Sequence, residues 1–191
     1  MHYQLVSGDI VSKLAAAKDE GHDNIKIDEN DVIYCNLAEF YEMLEKLQFK
    51  RIKMKANGLL LSEYKNACNL IARGVRIFEI VFHHHDPKKH DEIAGSGSYR
   101  TLLESVSTAY QASIDNDVPI IFQFTLAFRQ PEELAKAVSI LSELYPSHFR
   151  IEGEVPRDDL TAAIKAGNET GIWVETTQKF EDALLSKRFA P

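Results

Sequence analysis

What most constrains the fold of this chain is the regular exchange of two periodicities along it. Stretches with an apolar residue every three or four positions alternate with short stretches of period two, from the N-terminal region almost to the C-terminus. Asp9 to Glu20 reads as a helix with Ile10, Leu14 and Ala17 on one face, capped by Ser7 or Asp9 and stopped by Gly21. Asn24 to Ile27 reads as a strand, Leu37 to Leu47 as a helix and Arg51 to Lys55 as an alternating strand. A helix to Arg73 with Ser62 as its cap is followed by a strand from Arg76 to His83 and a long helix from Ser98 to about Asp115. Then come a strand at Ile120 to Leu126, a helix from Pro131 to Leu144 and a strand at Phe149 to Glu152. A helix at Arg157 to Ala166, a strand at Ile172 to Glu175 and a short helix around Phe180 to Lys187 complete the series.

Helices of this length between strands make right-handed crossovers, which require parallel strands. The expected class is therefore α/β. About six β/α units are present, whereas a closed barrel has eight and typically about 250 residues. With 191 residues, the chain is expected to be one domain over 1–191, either a partial (β/α) barrel or a curved open parallel sheet of about six strands. The hydrophobic fraction of 45% supplies enough apolar material for one sizeable core.

Charge and cysteine content narrow the range of functions. The net charge of -7 gives no electrostatic attraction to nucleic acid or to anionic lipid. No run of about 18 apolar residues occurs, and Met1 to Leu5 lacks the basic-then-apolar layout of a signal peptide. Two isolated cysteines, Cys35 and Cys68, make no disulfide framework and fit reduced thiols. The expectation is a cytoplasmic protein that engages neither membrane nor nucleic acid.

Three stretches carry a family resemblance. Phe49 to Ser62 places Ala56-Asn57-Gly58 after a strand and before a leucine-rich helix start. Phe82-His83-His84-His85-Asp86-Pro87-Lys88-Lys89-His90-Asp91-Glu92-Ile93-Ala94-Gly95 precedes Ser96-Gly97-Ser98-Tyr99. Val118 to Leu126 is followed by Gln130-Pro131-Glu132-Glu133-Leu134. These resemble, in order and spacing, the strand with a Thr-Asn-Gly turn, the "SLHGHDPEVHDEITG" segment with its Gly-Ser-Phe helix start, and the "VPVSVNFVLTRYNLDEL" strand and helix of radical S-adenosylmethionine enzymes. The resemblance covers Asp9 to about Leu144.

The departures from that family set the functional expectation. The family holds a [4Fe–4S] cluster on a Cys-x3-Cys-x2-Cys loop before the first helix. No cysteine precedes Asp9 here, and Cys35 and Cys68 are too far apart in sequence to supply the triad. Where the family has a Gly-Gly-Glu turn that cradles the methionine end of the cofactor, this chain has Asp28-Glu29-Asn30-Asp31, without the glycines that permit close backbone approach. Ala56 replaces the family's threonine and Val81 its small serine. No iron–sulfur cluster is expected. S-adenosylmethionine remains a candidate ligand, but its reductive cleavage by this chain alone is not expected.

Strand alternation assigns Phe78, Ile80 and Phe82 to the helix-covered side, with Glu79, Val81 and His83 on the concave side. By the same rule Lys53, Lys55, Gln123 and Thr125 face inward, Arg150 or Glu152 could join them, and Asn57 lies at a strand end. Lys53, Lys55 and Glu79 are expected to pair, since buried charges need partners. Lys53, Lys55, Asn57, Glu79, His83, Gln123 and Thr125 are thus the candidate ligand-binding residues. The competing reading is a charged groove solvated because the barrel does not close.

His83, His85 and His90 form a candidate metal set, with Glu79 or Asp86 as a possible carboxylate ligand. No Gly-x-Ser-x-Gly elbow, His-Glu-x-x-His or P-loop is present. The strands at Ile25–Ile27 and Ile172–Glu175 would be sheet edges, open to a second copy or a partner unless Tyr3 to Val6 covers one of them.

Three functions follow from these features. The first is a non-catalytic, radical-enzyme-like domain acting by binding a protein partner or a small ligand. The second is a subunit of a split radical enzyme whose partner carries the cluster. The third is a small metal-dependent lyase or hydrolase using the histidines.

Overall fold

The computed structural model describes residues 3–4 (backbone only), 10–128 and 130–176. Its residues group into two compact units, each assembled from two chain segments: 1–80 with 95–122, and 81–94 with 123–191.

The first unit contains β1 (Tyr3–Gln4), α1 (Ile10–Asp19), β2 (Asn24–Asp28), α2 (Glu29–Val32), α3 (Leu37–Leu47), β3 (Arg51–Ala56) and α4 (Tyr64–Ala72). Most of β4 (Val75–Phe82) and the long α6 (Ser98–Asp115) also belong to it. β1, β2, β3 and β4 pair in parallel in that order, with Ile25 opposite Ile52 and Met54 opposite Phe78. β1 pairs Tyr3 with Ile25 and Gln4 with Lys26, so the N-terminal segment does cover β2. Ile25, Ile27, Ile52, Met54, Phe78 and Ile80 are all buried, as the period-two reading requires. Ile10 and Leu14 of α1 and Phe40 and Leu44 of α3 are buried too, each side chain stabilising by about 1.5–3 kcal/mol through burial.

The second unit contains α5 (Pro87–Ala94), β5 (Ile121–Leu126) from Gln123 onward, α7 (Leu134–Leu141), β6 (His148–Ile151), α8 (Arg157–Thr170) and β7 (Trp173–Thr176). β5, β6 and β7 are parallel and consecutive. The end of β4 joins them, since the Ala127 N–H donates to the Phe82 carbonyl at 2.9 Å. Phe124 packs edge-on against Phe82 and Phe149, with ring centroids 5.0 and 5.9 Å away. In both units every strand neighbour is the next strand in the chain. The protein is an all-parallel open α/β sheet, the fold class of a partial (β/α) barrel.

Local differences from the sequence reading have local causes. Ser62 is not a helix cap, because its hydroxyl donates to the Leu59 carbonyl and the helix starts two residues later at Tyr64. The segment after Asp86 is a helix rather than a turn: the Asp86 carboxylate accepts from the Lys88 and Lys89 amides, and Pro87 occupies the first helical position. The Pro131–Leu144 helix is α-helical only over Leu134–Leu141, with a 3-10 turn at each end. Ser7, Asp9 and the helix expected at Phe180–Lys187 lie outside the described residues.

Candidate functional sites

The first site lies on the strands of the first unit. Lys26 on β2 and Lys53 on β3 both reach the same carboxylate oxygen of Glu79 on β4, at 2.9 and 2.7 Å. Glu79 is 2% exposed and Lys53 6%, while the Lys26 side chain is 23% exposed. Burial alone would raise the Glu79 carboxyl, but the hydrogen bonds from Lys53 and then Lys26 outweigh it and hold it at about 2. Glu79 is therefore a carboxylate throughout the physiological range.

Lys55 does not join this group, contrary to expectation. Its Nζ pairs with Asp28 at 3.6 Å, the residue directly across the β2–β3 ladder from it. Lys26, which the strand pattern did not single out, takes the place expected for Lys55.

Asn57 is committed to α2 and to the loop that contains it. Its side-chain amide donates to Asn30 at 2.7 Å and its carbonyl oxygen accepts from the Leu59 amide at 3.1 Å. The buried acceptor at this loop is Glu29, which sequence reasoning did not single out. Its carboxylate accepts from the amides of Asn57 at 2.6 Å, Gly58 at 2.9 Å and Leu60. Burial pushes the Glu29 carboxyl up, and the three amides oppose that by hydrogen-bonding the ionised form. Gly58 is required here: its φ is +94°, and a Cβ would stand 3.0 Å from the Thr101 carbonyl oxygen.

The second site is the histidine run of the second unit, where Gln123 and Thr125 are also buried on β5. β4 ends at Phe82, so the period-two pattern does not extend through the histidines. His83 and His90 face each other, with ring centroids 5.5 Å apart and the His83 N–H donating to His90 Nδ1 at 3.2 Å. His90 is fully buried beside Phe82. Burial, followed by the nearby His83, lowers its pKa to about 4.

His84 and His85 turn elsewhere. His84 stacks with His85 at 4.5 Å and with the Phe128 ring at 5.3 Å, nearly parallel, and Phe128 also lies 6.3 Å from His85. The Asp86 N–H donates to His84 Nδ1 at 2.8 Å, which leaves the ring proton on Nε2, 3.3 Å from the Gln130 side-chain oxygen. His85 Nε2 stands 3.5 Å from a Glu133 oxygen, while its Nδ1 is buried with no hydrogen-bond partner. Burial and then His84 lower the His85 pKa. Lys89 Nζ lies 3.1 Å from the Gln130 oxygen and 3.9 Å from Glu133. Ligand atoms of His84, His85 and Glu133 all lie within 4.8 Å of one another. Of the three histidines singled out as metal ligands, only His85 is in this cluster.

Among the described residues, no helix is long and apolar enough to cross a membrane. Cys35 and Cys68 form no disulfide.

No protein-family model matches the chain, and no curated protein does. Solved structures do match. Methylornithine synthase superimposes with a TM-score of 0.59 at 10% identity, over 92% of this chain and 63% of its own. A 2,3-dimethylmalate lyase, a member of the PEP mutase/isocitrate lyase superfamily, gives 0.51 at 11% identity over 98% and 77%. Oxaloacetate acetylhydrolase gives 0.50 at 10% identity over 97% and 78%. The chain thus spans less than two thirds of methylornithine synthase. These neighbours are a synthase, a lyase and a hydrolase by name, and at this identity the likeness carries the α/β barrel fold alone.

Proposed function

We propose that this chain is a binding domain on a radical-enzyme-like scaffold. It takes a small anionic ligand at the lysine-bearing face of β2 and β3 and performs no radical chemistry of its own. The observation that carries this reading is the convergence of Lys26 and Lys53 on one Glu79 oxygen. Two ammonium groups against one carboxylate give the triad a net positive charge, in surroundings where Glu79 and Lys53 are nearly inaccessible. A carboxylate or phosphate brought to Lys26, the most exposed member, would balance that charge. The residues after β2 favour binding over radical chemistry: Glu29 already serves as acceptor for the Asn57–Leu60 loop, and the glycines of a cofactor cradle are absent there.

Calorimetric titration of tag-free protein with S-adenosylmethionine, then with small carboxylates and phosphate, tests this reading. The expected result is saturable binding of at least one anion, weakened about tenfold or more by Lys26→Met, a loss of about 1.4 kcal/mol. If no anion binds, the triad is purely structural and the domain acts through a protein partner. A second reading is a subunit of a split radical enzyme whose partner carries the cluster, since Cys35 and Cys68 are too far apart in sequence to supply a cysteine triad. It predicts co-purification with a cysteine-rich chain from the native host.

A further inference from the structure

We infer that His84, His85 and Glu133 form a binding site for a divalent transition-metal ion of the zinc class. This inference is independent of the anion-binding proposal, which concerns other residues in the other unit.

Two imidazoles and one carboxylate are a donor set that zinc accepts, with a fourth position left for water. The three ligand atoms already lie within 4.8 Å of one another. Metal–ligand bonds of about 2.0–2.2 Å place tetrahedral ligands roughly 3.3–3.6 Å apart, so closure needs side-chain shifts of only about an ångström.

Two of the ligands are held in place before any metal arrives. His84 is 4% exposed and His85 7%, and their rings stack on each other, with Phe128 stacked near both at 5.3 and 6.3 Å. Packing of this kind fixes side-chain orientation and lowers the entropy lost on binding. Neither nitrogen of His85 is committed: Nδ1 has no hydrogen-bond partner, and Nε2 makes only the long approach to Glu133. A buried polar atom without a partner is costly, and a bound ion together with its water offers partners to this ring. The third ligand, Glu133, sits on the 3-10 turn Pro131–Glu133 and keeps enough exposure to adjust.

His84 ligates through Nε2, because Nδ1 faces the Asp86 amide. Binding then moves the ring proton from Nε2 to Nδ1 and opens the Asp86 N–H···Nδ1 hydrogen bond. Two neutral hydrogen bonds, from the Asp86 amide and to the Gln130 oxygen, are lost and one metal–nitrogen bond is formed, with no net proton release from this ring. Lys89 is the resident cation beside Glu133 and Gln130. It competes with the metal for the same carboxylate and, being exposed, can swing out.

Tag-free apo protein titrated with Zn2+, and with Co2+ followed by its visible absorption, tests the site. The expected result is one equivalent bound with a dissociation constant at or below about 1 µM, a tetrahedral Co2+ spectrum and a shifted Asp86 amide resonance. Glu133→Gln and His84→Gln are each expected to weaken binding about tenfold or more, as loss of one ligand should, while Lys89→Met strengthens it. His83→Gln leaves it unchanged, and circular dichroism establishes that each variant is folded. The inference is overturned by the absence of binding. It is equally overturned by binding that ignores Glu133→Gln and His84→Gln or is abolished by His83→Gln, each of which indicates an adventitious ion only.

Discussion

Replacing Glu79 by Gln removes the anion that Lys26 and Lys53 share while keeping the side-chain shape. The stabilisation at stake follows from the carboxyl itself, which is held at about 2 against an ordinary 4.5. That difference corresponds to about 3 kcal/mol, near the lower end of what truncating one partner of a buried ion pair costs. For a chain of this size such a loss lowers Tm by roughly 10 °C. Because the folded state depresses this pKa, the contribution is complete above the unfolded value and is lost as pH falls from about 4.5 toward 2. Urea denaturation of wild type and Glu79→Gln should therefore show a gap of about 3 kcal/mol at pH 7 that narrows steadily between pH 4.5 and 2. Adding Lys53→Met to Glu79→Leu should recover most of the loss, since an apolar pair of similar volume replaces a desolvated ionic one. A gap below about 0.5 kcal/mol at pH 7, or one that does not change with pH, would refute the claim that this carboxylate is both buried and held by the lysines.

Two further outcomes check other parts of the fold. A Cβ at Gly167 on α8 would stand 2.4 Å from Val174 Cγ2 and 2.7 Å from the Ile172 carbonyl oxygen. Gly167→Ala should cost about 2 kcal/mol or more in denaturant, and a second change, Val174→Ala, should restore only part of that because the backbone oxygen remains. His90 should titrate near 4 in an NMR pH series. Its burial in the neutral form should contribute about 3 kcal/mol of stability that is present above pH 6.5 and lost as pH falls to about 4; a midpoint near 6.5 would refute this.

The parallel α/β plan was legible because it is written in local periodicity. Arg51 to Lys55 alternates, and Ile52 and Met54 are buried while Lys53 lies on the opposite face. What periodicity does not carry is the offset between strands. Lys55 lies opposite Glu79 in the β3–β4 ladder yet bonds Asp28, while Lys26 reaches Glu79 from a strand further away. Continuing β4 to His83 places the histidines on alternating faces, but the strand stops at Phe82 and the chain turns, which brings His84 rather than His83 beside His85. A signal for that turn was present in Asp86-Pro87, a cap followed by a first-turn proline. Glu29 stands just beyond β2, where strand alternation assigns no face; the signal for it is an acid at a strand end followed, one β/α unit later, by an Asn-Gly turn.

The anchoring of the Asn57–Leu60 loop by Glu29 has a consequence for anyone redesigning this scaffold. The loops after β2 and β3 are not separate modules. Grafting a glycine-rich segment in place of Asp28–Asp31 would leave three amide donors of the neighbouring loop without their acceptor. Exchanging Asn57–Leu60 alone for a loop of different backbone conformation would leave a buried carboxylate without its donors, because all three are main-chain amides. Either graft made singly should misfold locally even if the new loop is well formed. The two segments are transplantable only as a pair, so libraries built on this chain should vary them together and keep an acid at position 29 wherever residues 57–60 are retained.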